Sequence, residues 1–392
     1  MILKKYLVYS TILGLFSEAL VFTRGIDFKF FYLMLVVNTF ILARIQPLKT
    51  SRIASVVFIY LILSALVNIL RGVNLPQFFI MQFTGILLTF NYFYNFFKYF
   101  SNYDFLIKLY VKVSYYVAII GIIIFPIQLV SNGHAIRLES VMNEPAHYTA
   151  IVMPAFYITF WKFLKCREYT KEFIVLLISI LLAGSSVGFF GLILVYFIGR
   201  KYSILALLKG SIVPVVFSFL VISFNSNVRL RVYDTLRSMT TLSVEGVNLS
   251  TYALVSNIYI TTRNLVDYPL IGTGLGSYRL SHERYVNDIV GIDSIKKWDN
   301  GYADMNKKDA GSLFLRVSAE FGLMGILSVL YFLRLCRSNL NEEQRFFSNA
   351  ILVVLLLKLF REGHYFSPDI WFFITLFYQI RHSGTWKIIG TQ

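Results

Sequence analysis

Ile53-Ala-Ser-Val-Val-Phe-Ile-Tyr-Leu-Ile-Leu-Ser-Ala-Leu-Val-Asn-Ile-Leu70 contains no charged residue. A helix of that length can cross the ~30 Å hydrocarbon core of a bilayer. On either side of it, apolar runs between charged breaks recur at 6–22, 30–43, 77–97, 107–130, 147–164, 172–184, 186–199, 203–223, 311–333, 346–362 and 364–380. The composition agrees: of 392 residues, 57% are hydrophobic, 17% aromatic and only 15% charged, with a mean hydropathy of +0.64. A soluble domain carries about 25% charged residues. The expected fold is an all-α polytopic membrane protein of about 12 transmembrane helices, the seventh and eighth being short and split at Gly184-Ser185-Ser186.

Lys and Arg number 37 against 21 Asp and Glu, a formal net charge of +16. In a membrane protein such an excess collects in cytoplasmic loops. There is no basic low-complexity tail and no zinc or RNA-binding motif, so no nucleic-acid partner is expected. With both termini cytoplasmic, the inner segments hold twenty of the basic residues, among them Lys4, Lys5, Lys162, Lys165, Arg200, Lys201, Arg334 and Arg337. The first apolar run follows Lys4-Lys5 without a small-x-small cleavage site, and reads as an uncleaved span. Cys166 and Cys336 fall in loops assigned to the cytoplasm, where thiols stay reduced.

This topology divides the chain into an N-terminal bundle of about nine spans (1–223), an outer-face segment (224–310), and about three C-terminal spans with a short tail (311–392). The outer segment carries ten basic and nine acidic residues. A stretch that long is commonly functional, and the aliphatic periodicity of Tyr252–Leu265 predicts an amphipathic helix in a folded cap.

Ionisable groups at membrane depth are costly and point to function. Three clusters qualify, all assigned near the outer face. In the first, Arg137-Leu-Glu139-Ser-Val-Met-Asn143-Glu144-Pro145-Ala-His147, Pro145 suits the first turn of a helix. Glu144 either complements the helix dipole or joins Arg137 in receiving a glycan or pyrophosphate headgroup. In the second, Gly272-Thr-Gly274-Leu-Gly276-Ser277-Tyr278-Arg279, the glycines suit a phosphate loop but lack the strand–turn–helix setting of a dinucleotide site. A tight turn at positive φ is the alternative. The third pairs Arg316 with Glu320, four residues on along one helix face, and adds Arg361-Glu362-Gly363-His364 between the last two spans. These pairs either neutralise charge or offer bidentate arginine contacts to phosphate.

The sequence has no Asp-x-Asp, Walker loop, Gly-x-Ser-x-Gly elbow or His-Glu-x-x-His, and its five histidines lack metal-ligand spacing. No cofactor or metal is expected. An outer-face enzyme without either must use a donor that arrives activated, and a lipid-linked diphosphate is one.

An ordered set of pieces resembles the O-antigen and capsular polysaccharide polymerases (the Wzy family), which are related to the O-antigen ligases. The set is Arg137 with Asn143-Glu144-Pro145; Ser185-Ser186-Val-Gly188 opening a span; Tyr268-Pro-Leu-Ile-Gly272-Thr-Gly274-Leu-Gly276-Ser-Tyr278 in the long outer segment; and Ala319-Glu320-Phe-Gly322-Leu-Met-Gly325. The resemblance implies a GT-C-like glycosyltransferase in the bacterial plasma (inner) membrane, acting on its outer face. It would transfer a growing glycan from undecaprenyl diphosphate to the next lipid-linked repeat unit. Its partners would be that lipid-linked oligosaccharide and membrane lipids, with a chain-length regulator and a flippase nearby. Arg137, Glu144, His147, Arg316 and His364 are the expected catalytic residues, and Arg279, Arg361, Tyr278 and Gly274 the expected substrate contacts. Ligase relatives typically carry a His-Asn pair about eleven residues before the glycine matching Gly322; here those positions read Gly311 and Ser312. A ligase with the same donor, and a non-enzymatic flippase of lipid-linked oligosaccharide, are the competing readings.

Overall fold

The computed structural model describes residues 2–24, 26–132, 137–199, 223, 226–241, 243–298 and 300–382. Helices dominate it. The first part of the chain forms α1 (Ile2–Gly14), α2 (Phe30–Ile45), α3 (Arg52–Leu70), α4 (Pro76–Tyr99), α5 (Tyr103–Asn132), α6 (Pro145–Cys166), α7 (Thr170–Ala183) and α8 (Ser186–Ile198). There follow α9 (Ser226–Thr241), α10 (Leu249–Asp267), α11 (Tyr278–Tyr285), α12 (Ile292–Trp298) and α13 (Asn300–Ala303). The last helices are α14 (Leu313–Leu335), α15 (Glu342–Arg361) and α16 (Pro368–His382). Three of them, Arg52–Leu70, Tyr103–Val130 and Leu313–Leu335, are long and apolar enough to cross a membrane, and Phe30–Ile45 and Ser186–Ile198 are shorter apolar helices. This is the make-up of a helical membrane protein. The expected amphipathic helix of the outer segment is α10, capped by the Asn248 side chain accepting from the Thr251 amide. The expected ninth span, 203–223, lies outside the described residues apart from Ser223.

The first apolar run departs from expectation. It is not one helix over 6–22: α1 stops at Gly14, and the chain turns into an antiparallel hairpin, β1 (Val21–Arg24) with β2 (Ile26–Lys29), pairing Val21 with Lys29 and Phe22 with Phe28. The cause is tertiary. A Cβ at Gly14 would meet the Met34 side chain at 2.0 Å, so this turn of α1 packs directly on α2. Glu18, just beyond, is drawn to Lys29 at 3.1 Å and to His147 at 2.9 Å.

Two main packing units result. The larger gathers buried aromatic and aliphatic side chains from α1, α2, α4–α8, α15 and α16, with Phe93, Phe97, Tyr110 and Phe372 packed ring against ring. The second lies among α10–α13, with Val244, Tyr252, Ile260, Tyr278 and Ile295.

The 269–278 loop joins this second unit to α14. At Gly322, α14 breaks with φ 58 and ψ −146. The backbone groups released there are taken up by the loop: the amides of Leu323 and Met324 donate to the carbonyls of Pro269 and Leu270, and the Gly274 amide donates to the Glu320 carbonyl at 2.7 Å. In hydrocarbon an unpaired backbone group costs several kcal/mol, so loop and break require each other. A Cβ at Gly322 would lie 2.6 Å from the Pro269 carbonyl oxygen. The backbone there is one that essentially only glycine adopts, at a cost of about 1–3 kcal/mol for other residues. Gly322→Ala should therefore lower stability by about 2–3 kcal/mol. Gly246→Ala, at φ +69 with nothing within 4 Å, should lose only about 1–2 kcal/mol. Thermal unfolding of the detergent-purified protein reads both, and equal melting temperatures for the two variants would refute the role given to Gly322.

Candidate functional site

The loop after α5 reaches its position through short tethers. The Leu138 amide donates to the Leu182 carbonyl at 3.3 Å, and the Ser140 hydroxyl to the Val117 carbonyl at 2.7 Å. Glu144 is then the N-cap of α6 in extended backbone, with Pro145 at the first helical position. Opposite, α7 ends at Gly184 in the left-handed conformation and Ser185 caps α8. A cavity of about 710 Å³ opens between these elements. Arg137, Glu139, Glu144, Ser185 and Ser186 line it from one side, Val232, Leu236 and Thr251 from α9 and α10, and Gly311, Ser312, Phe360 and Arg361 from the remaining side.

Four helices present their N-terminal residues to this space: α6 with Glu144–Ala146, α8 with Ser185–Val187, α10 with Ser250 and Thr251, and α14 with Ser312 and Leu315. The caps of α6 and α8 make no side-chain hydrogen bond to their first-turn amides, whereas the Ser312 side chain accepts from the Leu315 amide. Helix N-termini carry partial positive charge and free N–H donors and so favour anions. Arg137 and Arg361 add two full charges, and among the described residues neither guanidinium has a carboxylate within ion-pair distance. Glu139 is half-buried beside them. Burial pushes its carboxyl up, Arg137 opposes that rise, and Glu144 adds to it. The cavity thus combines groups that favour anions with two carboxylates, Glu139 and Glu144.

Of the expected site residues, Arg137, Glu144 and Arg361 meet here. The other six do not line it. Arg316 is 1% exposed: its Nε donates to Glu320 at 3.0 Å, an Nη donates to the Gly363 carbonyl at 2.7 Å, and the guanidinium lies 4.4 Å from the centre of the Tyr365 ring. Gly274 and Tyr278 belong to the loop that the same carboxylate holds. Glu320 accepts from the Gly276 amide at 2.9 Å and the Tyr278 amide at 3.1 Å, with Gly272, Gly274 and Gly276 all at positive φ. The glycine-rich stretch is a backbone latch onto α14. Arg279 stays at the surface in a pair with Glu283 at 3.2 Å.

The expected histidines stand outside the cavity as well. His147, in the first turn of α6, is held through Nδ1 by Glu18 at 2.9 Å and faces Glu362 at 4.0 Å. Glu362 pairs with Lys358 at 2.8 Å, and Lys358 with Asp369 at 2.8 Å. This chain ties the start of α6 to the end of α15, the elements that present Glu144 and Arg361. His364 is 3.2 Å from Asp309.

Glu139, Ser250, Thr251 and Phe360 were not among the expected site residues; only Glu139 had a signal, lying two residues after Arg137. Gly311 and Ser312 entered as a departure from a motif, and both line the cavity. Among the described residues no group of three His, Cys, Asp or Glu side chains could hold a metal ion. No protein-family model matches the chain, and no curated protein or solved structure is significantly similar to it.

His282, on α11, titrates abnormally. Its ring is fully buried. Burial holds its pKa down at about 4, opposed by Asp304 and reinforced by Lys307. The folded state therefore favours the neutral ring. The stability this contributes is complete above the unfolded value of about 6.5. It falls as pH drops from there towards 4 and is lost below. The melting temperature of the wild type should thus drop more than that of His282→Phe between pH 7.5 and pH 4.5. Parallel curves would show that His282 is already charged in the fold.

Proposed function

We propose that this protein is a polysaccharide polymerase. It transfers a growing glycan from undecaprenyl diphosphate to the next lipid-linked repeat unit at the outer face of a bacterial plasma membrane, without a metal. The reading includes about twelve spans in a GT-C-like arrangement, cytoplasmic termini, and a chain-length regulator and flippase as neighbouring partners. The observation that supports it best is the cavity itself. Two arginines that form no carboxylate ion pair among the described residues and the N-termini of four helices, drawn from distant parts of the sequence, converge on one space together with Glu139 and Glu144.

Those groups suit the chemistry. The acceptor sugar hydroxyl attacks the anomeric carbon of the donor while the bond from that carbon to the phosphate oxygen breaks, and the departing diphosphate leaves with the electron pair. Arg137 and Arg361, with the first-turn amides of α6 and α8, stabilise the charge that develops on it. Glu144, solvent-exposed at its cap position, accepts the hydroxyl proton. Glu139, its carboxyl already pushed up, shares that proton load. Arg316 acts from outside, by fixing the α14 start that contributes Ser312. The Gly311-Ser312 positions favour the polymerase over the ligase, because the ligase pair of His and Asn would stand at this same cavity wall.

Purified protein incubated with its lipid-diphosphate oligosaccharide and EDTA should yield a ladder of added repeat units. Arg137→Ala, Arg361→Ala and Glu144→Gln should each cut the rate of ladder formation by about 10²-fold while leaving the folded yield unchanged. A single capped product would instead indicate a ligase, and unchanged substrate moved to the other leaflet a flippase. Full ladder formation by Arg137→Ala and Arg361→Ala would overturn the mechanism.

A further inference from the structure

A second cationic feature lies apart from the cavity. Arg71 caps the C-terminus of α3, and its guanidinium lies 5.3 Å from the centre of the Tyr268 ring. Arg284, on α11, lies 5.4 Å from the centre of the same ring and donates to the Tyr268 hydroxyl at 3.0 Å. Both arginines are exposed, and among the described residues neither forms an ion pair with a carboxylate. The acid next in sequence to the tyrosine, Asp267, accepts from the Tyr285 hydroxyl at 2.6 Å. Two guanidinium groups that each lie within about 5.5 Å of one ring centre carry like charges, and an anion bound by both would offset their repulsion. Their planar donor arrays match phosphate oxygens.

The surroundings indicate where the phosphate comes from. Leu70, directly before Arg71, is 88% exposed, and Val266 and Leu270, flanking Tyr268, are 67% and 66% exposed. Side chains so apolar and so exposed belong against acyl chains. Because α3 is long and apolar enough to cross hydrocarbon, its last residue falls at the membrane–water boundary, where aromatic rings and arginines with an apolar underside settle.

We propose that Arg71 and Arg284 bind the phosphate of an anionic membrane phospholipid, with Tyr268 as the floor of the site and Leu70, Val266 and Leu270 as the surface for its acyl chains. None of these residues lines the cavity. The site requires only that the protein be embedded in a membrane, so it stands or falls separately from the polymerase reading.

The test uses the full-length protein, delipidated in detergent, and three additives: phosphatidylglycerol, phosphatidylcholine and inorganic phosphate. Phosphatidylglycerol should raise the melting temperature by about 3 °C or more, with little change from the other two. Arg71→Gln/Arg284→Gln should lose most of that rise, and Arg361→Ala, a cavity variant, should keep it. An equal rise with phosphatidylcholine, or an undiminished rise in the double variant, would overturn the proposal. An equal rise with inorganic phosphate would reassign the site to a soluble anion and overturn the lipid source. Should the double variant fail to fold, native mass spectrometry of the wild type decides: preferential retention of phosphatidylglycerol over phosphatidylcholine is expected, and equal retention is not.

Discussion

The carboxylate of Glu320 holds the glycine-rich loop against α14. Its charge is matched by Arg316 one turn earlier on α14, and its oxygens accept from two amides of the glycine-rich loop. That loop in turn satisfies the backbone of α14 where the helix breaks at Gly322. A broken helix in an apolar setting is tolerable only when each freed N–H and C=O finds a partner within the protein. Glycine at 272, 274, 276 and 322 makes the close approach possible, and the ion pair fixes its register. The start of α14, which contributes Ser312 to the cavity wall, inherits its position from this arrangement.

A second ionic chain performs a similar task for α6, α15 and α16. Glu18, His147, Glu362, Lys358 and Asp369 run from the turn after α1 through α6 to α15 and α16. Buried charges persist only when paired, so these five side chains restrict how α6 and α15 can lie against each other. Glu144 and Arg361 each stand within a few residues of a member of that chain. The cavity is thus bordered by two charge-neutralising networks, while Arg137 and Arg361 form no carboxylate ion pair among the described residues.

Much of this was legible beforehand. The apolar runs found α2 to α8 and α14 to α16 to within a few residues, because burial in hydrocarbon demands long uncharged stretches whatever the fold. Proline at 145 marked the start of α6, and the four-residue spacing of Arg316 and Glu320 marked a pair on one helix face. Other features left no such trace. The hairpin at 21–29 lies partly within an apolar run that reads as a span, and it is the packing of Gly14 on α2 and the pairing of Glu18 with His147 and Lys29 that end that run early. Ser250, Thr251 and Phe360 are ordinary helix residues until α10 and α15 face the same space. His147 and Arg316 had the right chemistry for a site, yet their partners, Glu18 and Gly363, lie 129 and 47 residues away.

The sequence by itself determined that the chain is helical, that it carries apolar stretches long enough to cross a membrane, and which charged residues stand at helix ends, since those properties depend on composition and on spacings of a few residues. Tertiary structure decided which of those charges cancel within the protein and which, among the described residues, do not. Coulombic pairing acts over a few ångströms in space regardless of separation along the chain, so only the packed arrangement could sort Arg137 and Arg361 from Arg316.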